Sequence, residues 1–131
     1  MPTLSSPTLS IKLIAGTSNV EVTGTVRVAF SATEKTLVKL LSLKYSLSCK
    51  IWGADSGFNG EDDSLFSIAS QSVDSDGTHT FKRTVNKSSL DEDWEGNDEI
   101  YARYRCTPPS DSGLVLSAAT PKNSPTITGN F

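Results

Sequence analysis

The sequence predicts an all-β fold, a single antiparallel β-sandwich of seven or eight strands with two acidic loops at one end. Apolar and polar residues alternate along much of the chain with the period of two that half-buried strands require. Clusters of Gly, Pro, Asn, Asp and Ser separate these alternating runs and indicate turns. Most acidic residues, finally, lie in two short segments between predicted strands.

The chain length sets the number of domains. With 131 residues, an apolar fraction of 36% and a net charge of −3, the chain is long enough to bury one core and too short for two ordinary domains. We therefore assign residues 1–131 to one domain. Residues 1–9 and 120–131 are expected to be extended tails or edge segments.

The first half of the chain contains two clear alternating runs. After a short β-like run at Ile11–Ala15, Val20–Phe30 reads as a half-buried strand in which Gly24 is compatible with a β-bulge. Ser31–Leu41 has helix-like content, but a long strand explains it equally well, with a bulge or bend at Leu40-Leu41. The next alternating run extends from Leu41 to Ile51.

The second half of the chain supplies the remaining strands. Leu65–Val73 is β-like, and Phe81 and Val85 share one face of the strand that follows. A further strand places four residues inward: Ile100, Ala102, Tyr104 and Cys106. Leu114–Ala118 and Thr126–Ile127 add two short β-like runs.

Strand direction predicts where the connections lie. Successive strands of an antiparallel meander or Greek key mostly reverse direction, so every second connection lies at the same end. The connections Gly53–Asp63 and Lys87–Asp98 should therefore share one pole, and the short turn Asp74–Gly77 should lie at the other.

Ten of the fifteen acidic residues fall in Gly53–Asp63 and Asp91–Glu99, and neither segment contains Lys or Arg. The rest of the chain has five acidic residues against twelve Lys and Arg. Crowded carboxylates repel one another, and solvation, raised pKa values or a bound cation relieves the repulsion. Oxygen ligands spaced around glycines suit Ca²⁺, so the candidate metal ligands are Asp55, Asn59, Glu61, Asp62, Asp63, Asp91, Asp93, Glu95 and Asp98.

The second segment follows the first half of an EF-hand loop. Asp91, Asp93 and Glu95 occupy positions 1, 3 and 5, and Gly96 occupies the position of the sharp turn. Position 12 is Ala102 where a bidentate Glu belongs, and the flanking residues have strand character. An EF-hand is therefore excluded, but a sharp turn at Gly96 that brings the preceding carboxylates together is still predicted.

A β-sandwich with D-x-D followed by Asp98 and Ile100, together with an acidic first loop, resembles the calcium-and-lipid-binding domains of protein kinase C and the synaptotagmins. The resemblance implies a Ca²⁺ site at one end of the sandwich. It implies that the ligands are Asp55, one of Asp62 or Asp63, Asp91, Asp93 and Asp98.

An aromatic residue stands in the middle of each acidic segment. Phe58 and Trp94 could contact lipid or stack on a sugar, or they could fold back onto the end of the sandwich. We expect a non-enzymatic Ca²⁺-binding module that presents a ligand- or membrane-contacting surface. The alternatives are a carbohydrate-binding or adhesive module and a structural protein whose acidic surface binds no ion.

Enzymatic activity is not expected. The only histidine, His79, is predicted at the pole opposite the acidic segments, so no Ser-His-Asp or Cys-His arrangement forms beside them. Paired carboxylates can hydrolyse glycosides, but so many similar neighbours single out no acid and no base.

Composition bounds the partners and the compartment. A pI near 5.0 without a Lys/Arg cluster argues against nucleic acid, and no apolar run is long enough to span a bilayer. Anionic lipid, glycan, another protein or a second copy remain as partners. The first residues contain no visible export signal, so the compartment stays open, and a disulfide between Cys49 and Cys106 is left undecided.

Overall fold

The computed structural model describes residues 2–53, 63–86, 98–109 and 118–129. These residues form eight strands and one helix: β1 (Thr3–Leu13), β2 (Asn19–Ala29), α1 (Ala32–Leu41), β3 (Tyr45–Gly53), β4 (Asp63–Val73), β5 (Gly77–Asn86), β6 (Asp98–Thr107), the two-residue β7 (Lys122–Asn123) and β8 (Ile127–Gly129). The predicted all-β class is confirmed. No helix within these ranges is both long and apolar enough to cross a membrane.

The strands form two antiparallel sheets. The three-stranded sheet has the order β1-β2-β5. In the five-stranded sheet the order is β4-β3-β6, and both β7 and β8 pair with β6. The predicted run Leu114–Ala118 lies almost entirely outside the described residues, while residues 3–9 belong to the edge strand β1.

The core lies between the inner faces of the two sheets, as the alternation predicts. Phe81 of β5 and Tyr104 of β6 meet there with their ring centroids 6.0 Å apart. Burying each aliphatic side chain contributes about 2 kcal/mol, so this interior holds the sheets together. Buried aliphatic and thiol side chains of the same core cluster include Val20, Val22, Val26, Val28, Leu47, Cys49, Ile51, Ile100 and Cys106.

The region between β2 and β3 is a helix, not a strand. Ser31 caps α1 through a reciprocal capping box with Glu34, and Ser42 ends it in the left-handed conformation. The strand reading of Ser31–Leu41 and the proposed bulge at Leu40-Leu41 are therefore wrong, and β3 begins only at Tyr45. The reciprocal hydrogen bonds satisfy helix-end groups that a strand would leave to a neighbouring chain segment.

The irregularity expected at Gly24 is on the neighbouring strand instead. The β2–β5 register is continuous through Gly24, so this residue is not a bulge. The shift occurs in β1 between Ser5 and Thr8, where Ser6 adopts a positive φ of 49°. A bulge there adds twist to an edge strand.

The sandwich has two distinct ends. The turn between Val73 and Gly77 lies at one end together with α1, since Asp76 accepts a hydrogen bond from the backbone N–H of Phe30. We call this end the helical pole. The opposite end, which we call the acidic pole, contains the outer ends of β3, β4, β5 and β6.

Candidate functional site

The strand register brings the ends that flank the two acidic segments together. Gly53, the last residue of β3, pairs with Asp63 of β4 on one side and with Ile100 of β6 on the other. Asp98 begins β6 two residues before Ile100. The backbone therefore holds the last residues of both acidic segments around the end of one strand.

Contacts between β4 and β5 place the end of β5 at the acidic pole as well. Arg83 donates to the carbonyl oxygen of Ser67 at 2.6 Å, and Gln71 donates to that of Thr80 at 2.8 Å. Continuing this antiparallel register puts Asn86, the last residue of β5, level with the start of β4. The chain thus leaves β5 for its second acidic segment from the acidic pole.

Most of the predicted ligands lie outside the described residues. This applies to Asp55, Asn59, Glu61, Asp62, Asp91, Asp93 and Glu95, and equally to Phe58 and Trp94. For Asp63 and Asp98 the structure gives the backbone position, the first residue of β4 and of β6. Among the residues that are described, no group of three or more His, Cys, Asp or Glu is arranged to hold a metal ion.

An exposed apolar side chain, which the sequence did not single out, lies at the acidic pole. Leu13 ends β1 opposite Val20 and leads into the β1–β2 turn, in which Gly16 adopts a φ of 78°. The side chain of Leu13 is 65% exposed. Leu13 and Glu21 both line a cleft of about 360 Å³. The pole therefore offers an apolar contact as well as charge.

The two cysteines are buried and unbridged. Cys49 pairs with Tyr104, so Cys106 lies two residues further along β6, opposite Leu47. Burial raises the pKa of each thiol to about 11. Both thiols are therefore neutral near pH 7 and unsuited to nucleophilic or metal chemistry.

A second group of polar residues lies on the outer face of the five-stranded sheet, close to the acidic pole. Cζ of Arg103 lies 4.6 Å from the ring centroid of Trp52, and Nζ of Lys50 lies 5.3 Å from the same centroid. Trp52 pairs directly with Tyr101, and Lys50 pairs directly with Arg103. We call Lys50, Trp52, Tyr101, Arg103 and the adjacent Arg105 the cationic patch.

Hydrogen bonds hold the central arginine of this patch in place. Arg103 donates through Nε to Oδ1 of Asn123 on β7 at 3.0 Å and through Nη2 to the Tyr101 hydroxyl at 3.2 Å. Tyr101 is only 4% exposed although it faces away from the core, and Cζ of Arg103 lies 5.7 Å from the centroid of its ring. The alternation predicted Tyr101 and both arginines on the outer face, but only the register reveals that they meet Lys50 and Trp52.

The helical pole carries a separate cleft of about 430 Å³. It lies beside the second half of α1 and is lined by Lys35, Val38, Lys39, Ser42, Leu43, Lys44 and Asp74. Lys35 is paired with Asp76 at 2.9 Å, so its charge is compensated. Both clusters of cations thus lie outside the acidic segments, as the charge distribution along the sequence requires.

Comparison with known proteins gives a fold similarity and nothing more. No protein-family model matches the chain, and no curated protein matches it in sequence. Among solved structures, the crystal structure of the periplasmic chaperone SfaE matches with 12% identity and a TM-score of 0.49. The match covers 98% of this chain and 56% of the chaperone chain, so this chain spans little more than half of that protein. A similarity at this TM-score says nothing about function.

Proposed function

We propose that this protein is a non-enzymatic Ca²⁺-binding β-sandwich module whose two acidic segments bind the ion and order a contact surface at the acidic pole. One observation carries the proposal: Gly53 pairs with both Asp63 and Ile100, so the strand ends that flank the two segments are neighbours. Segments that adjoin neighbouring strand ends can supply oxygen ligands to a shared ion.

Electrostatics gives the binding its driving force. Ten carboxylates belong to two segments that contain no cation of their own. A divalent ion relieves their mutual repulsion, and Ca²⁺ accepts six to eight oxygen ligands in flexible geometry. Mg²⁺ requires a stricter octahedral arrangement and retains its water, so Ca²⁺ fits such segments better.

The resemblance to calcium-and-lipid-binding domains supports the same proposal. It rests on Asp91, Asp93, Asp98 and Ile100, together with the acidic first segment. A solvated acidic pole without an ion is the alternative. The two differ in whether Ca²⁺ stabilises the folded chain.

Thermal unfolding in EDTA and in CaCl₂ tests the proposal. An ion that binds only the folded chain stabilises it by about 2.7 kcal/mol at a hundred times its Kd, which raises the Tm of a domain of this size by roughly 5–15 °C. MgCl₂ at equal ionic strength is the control for screening, and we expect it to raise the Tm much less. An equal Tm in EDTA and CaCl₂ would refute Ca²⁺ binding.

A variant series assigns the response to the proposed ligands. Asp91→Asn with Asp93→Asn keeps side-chain size but removes two charges, so we expect most of the Ca²⁺-dependent rise in Tm to disappear. Asp74→Asn with Asp76→Asn removes the same charge at the helical pole and should leave that rise intact. A rise that persists in the first pair would assign the ion to other residues.

A further inference from the structure

The cationic patch combines like charges that the described part of the chain leaves uncompensated. Lys50 and Arg103 are directly opposite across β3 and β6, an arrangement that is destabilising unless an anion lies nearby. Arg105 follows on the same face and is exposed. The ion pairs of the described residues, Lys35–Asp76 and Lys82–Glu21, involve none of these three side chains.

The indole at the centre of the patch has an unused hydrogen-bond donor. Nε1 of Trp52 is shielded from solvent and has no acceptor. Buried polar groups normally have partners, and a donor left without one reduces stability. A ligand that brings both negative charge and hydrogen-bond acceptors would satisfy the cations and this N–H together.

The aromatic rings themselves are not a free stacking surface. Cationic groups lie against the ring of Trp52, and Arg103 lies over that of Tyr101, which is buried. A sugar that stacks face-on would have to displace them. The patch is therefore suited to carboxylates, which accept hydrogen bonds from Arg and Lys and cannot donate when ionised.

We propose that the cationic patch binds an acidic segment of a second copy of this chain, in a reciprocal dimer. Charge complementarity identifies the occupant, because ten of the fifteen acidic residues lie in two cation-free segments of the same chain. Trp52 directly precedes Gly53, so the patch begins at the base of an acidic segment. Two copies related by a two-fold axis can then exchange acidic segments, and the contact closes as a dimer.

Sedimentation velocity in EDTA at low and high ionic strength tests this proposal without any dependence on Ca²⁺. We expect a species of twice the 14.0 kDa chain mass at low ionic strength, dissociating as salt is added. A chain that is monomeric at low ionic strength would overturn the proposal.

Paired variants assign the contact to the patch. Lys50→Gln with Arg103→Gln should raise the dimer dissociation constant about tenfold or more, since both charge-assisted contacts are lost. Lys39→Gln with Lys44→Gln changes the net charge equally at the helical pole and should leave it unchanged. Equal effects of the two pairs, or a larger effect of the second, would overturn the proposal.

Two further measurements distinguish loss of the dimer from loss of folding and from binding of a different ligand. Circular dichroism checks that each variant folds, and Arg105→Gln, which changes an exposed side chain, serves as a milder patch variant. Heparin affinity chromatography examines a different occupant. A monomeric chain that heparin retains through Arg103 would assign the patch to a polyanionic glycan and overturn the dimer.

Discussion

Gly24 lies in the middle of β2, where the side chain of Tyr104 crosses from β6 to β1. The Tyr104 hydroxyl donates to the carbonyl oxygen of Thr8 at 2.6 Å. The Thr8 carbonyl is available to this hydroxyl because the backbone N–H of Thr25 donates to Oγ1 of Thr8 and not to the carbonyl oxygen. Burial raises the pKa of Tyr104, so the hydroxyl remains a donor. A Cβ built on Gly24 would overlap this hydroxyl oxygen, which explains the glycine in a strand interior.

We expect Gly24→Ala to lower the free energy of unfolding by about 2 kcal/mol or more, since the methyl group and the Tyr104 hydroxyl compete for the same space. Tyr104→Phe should cost about 1–2 kcal/mol because it leaves the Thr8 carbonyl without its partner. In the double variant, which combines Gly24→Ala with Tyr104→Phe, the alanine should cost less than it does alone. The hydroxyl is then absent, and the nearest remaining ring atom, Cζ of residue 104, is 3.3 Å from the alanine Cβ. Urea denaturation measures all three, and additive losses would contradict this coupling.

The element that joins the two sheets at the helical pole is α1, and its first turn is held by Glu34. Glu34 Oε1 accepts from the backbone N–H of Ser31 at 2.9 Å, and Oε2 accepts from the Tyr45 hydroxyl at 3.4 Å. Burial raises the pKa of Glu34, but hydrogen bonds, including those with Ser31, outweigh it and hold the pKa below its usual value. The ionised carboxylate therefore stabilises the folded chain more than the protonated acid does.

Glu34→Ala should lower the free energy of unfolding by about 2 kcal/mol, because it removes the capping box and the partner of Tyr45. Thr33→Ala, at an exposed position in the same turn, is the control and should be nearly neutral. Denaturation by urea at neutral pH distinguishes them. A similar loss in both variants would mean that the helix as a whole, and not its cap, limits stability.

The lowered pKa gives this prediction a pH dependence. The contribution of the Glu34 charge is complete above the unfolded pKa, near 4.5, and is lost as pH falls through the lower folded pKa. Glu34→Gln retains a capping side chain without the charge. Its deficit relative to the native chain should therefore be largest above about pH 5 and should shrink in acid.

At the same scale, apolar alternation predicted the strands but left the choice between helix and strand open for Ser31–Leu41. Alternation identifies a strand whenever one face is buried, as for Val20, Val22, Val26 and Val28 in β2. In α1 the apolar residues are not confined to one face, since Leu40 is 73% and Leu41 50% exposed while Val38 is buried. The usable signal was the Ser31-x-x-Glu34 capping box, which specifies a helix start independently of apolar periodicity.

At the scale of the whole molecule, chain reversal alone predicted which connections share a pole. That inference needs only antiparallel order, and the pairing of Gly53 with Asp63 and Ile100 follows it. The cationic patch could not be found in this way. Lys50 and Arg103 are distant in sequence, and a shift of one residue in the β3–β6 register would have separated Arg103 from Lys50 and turned it to the other face.

The distribution of apolar surface between the two poles gives a last prediction. Leu13 at the acidic pole and Leu40 at the helical pole are similarly exposed, at 65% and 73%. If Ca²⁺ at the acidic pole bridges to lipid phosphate, Leu13 lies where an apolar side chain can enter the interface. Inserting a leucine contributes about 1.5–3 kcal/mol, or roughly a tenfold to hundredfold change in affinity.

Co-sedimentation with vesicles that contain phosphatidylserine measures this difference between the poles. In CaCl₂ we expect Leu13→Ser to reduce binding by about tenfold and Leu40→Ser to leave it unchanged, while EDTA abolishes binding in every variant. Equal loss in both variants would show that general hydrophobicity drives the association. Absence of Ca²⁺-dependent binding by the native chain would remove lipid as the ligand of the acidic pole. A rise in Tm with Ca²⁺, if measured, would then belong to an ion site that serves another partner.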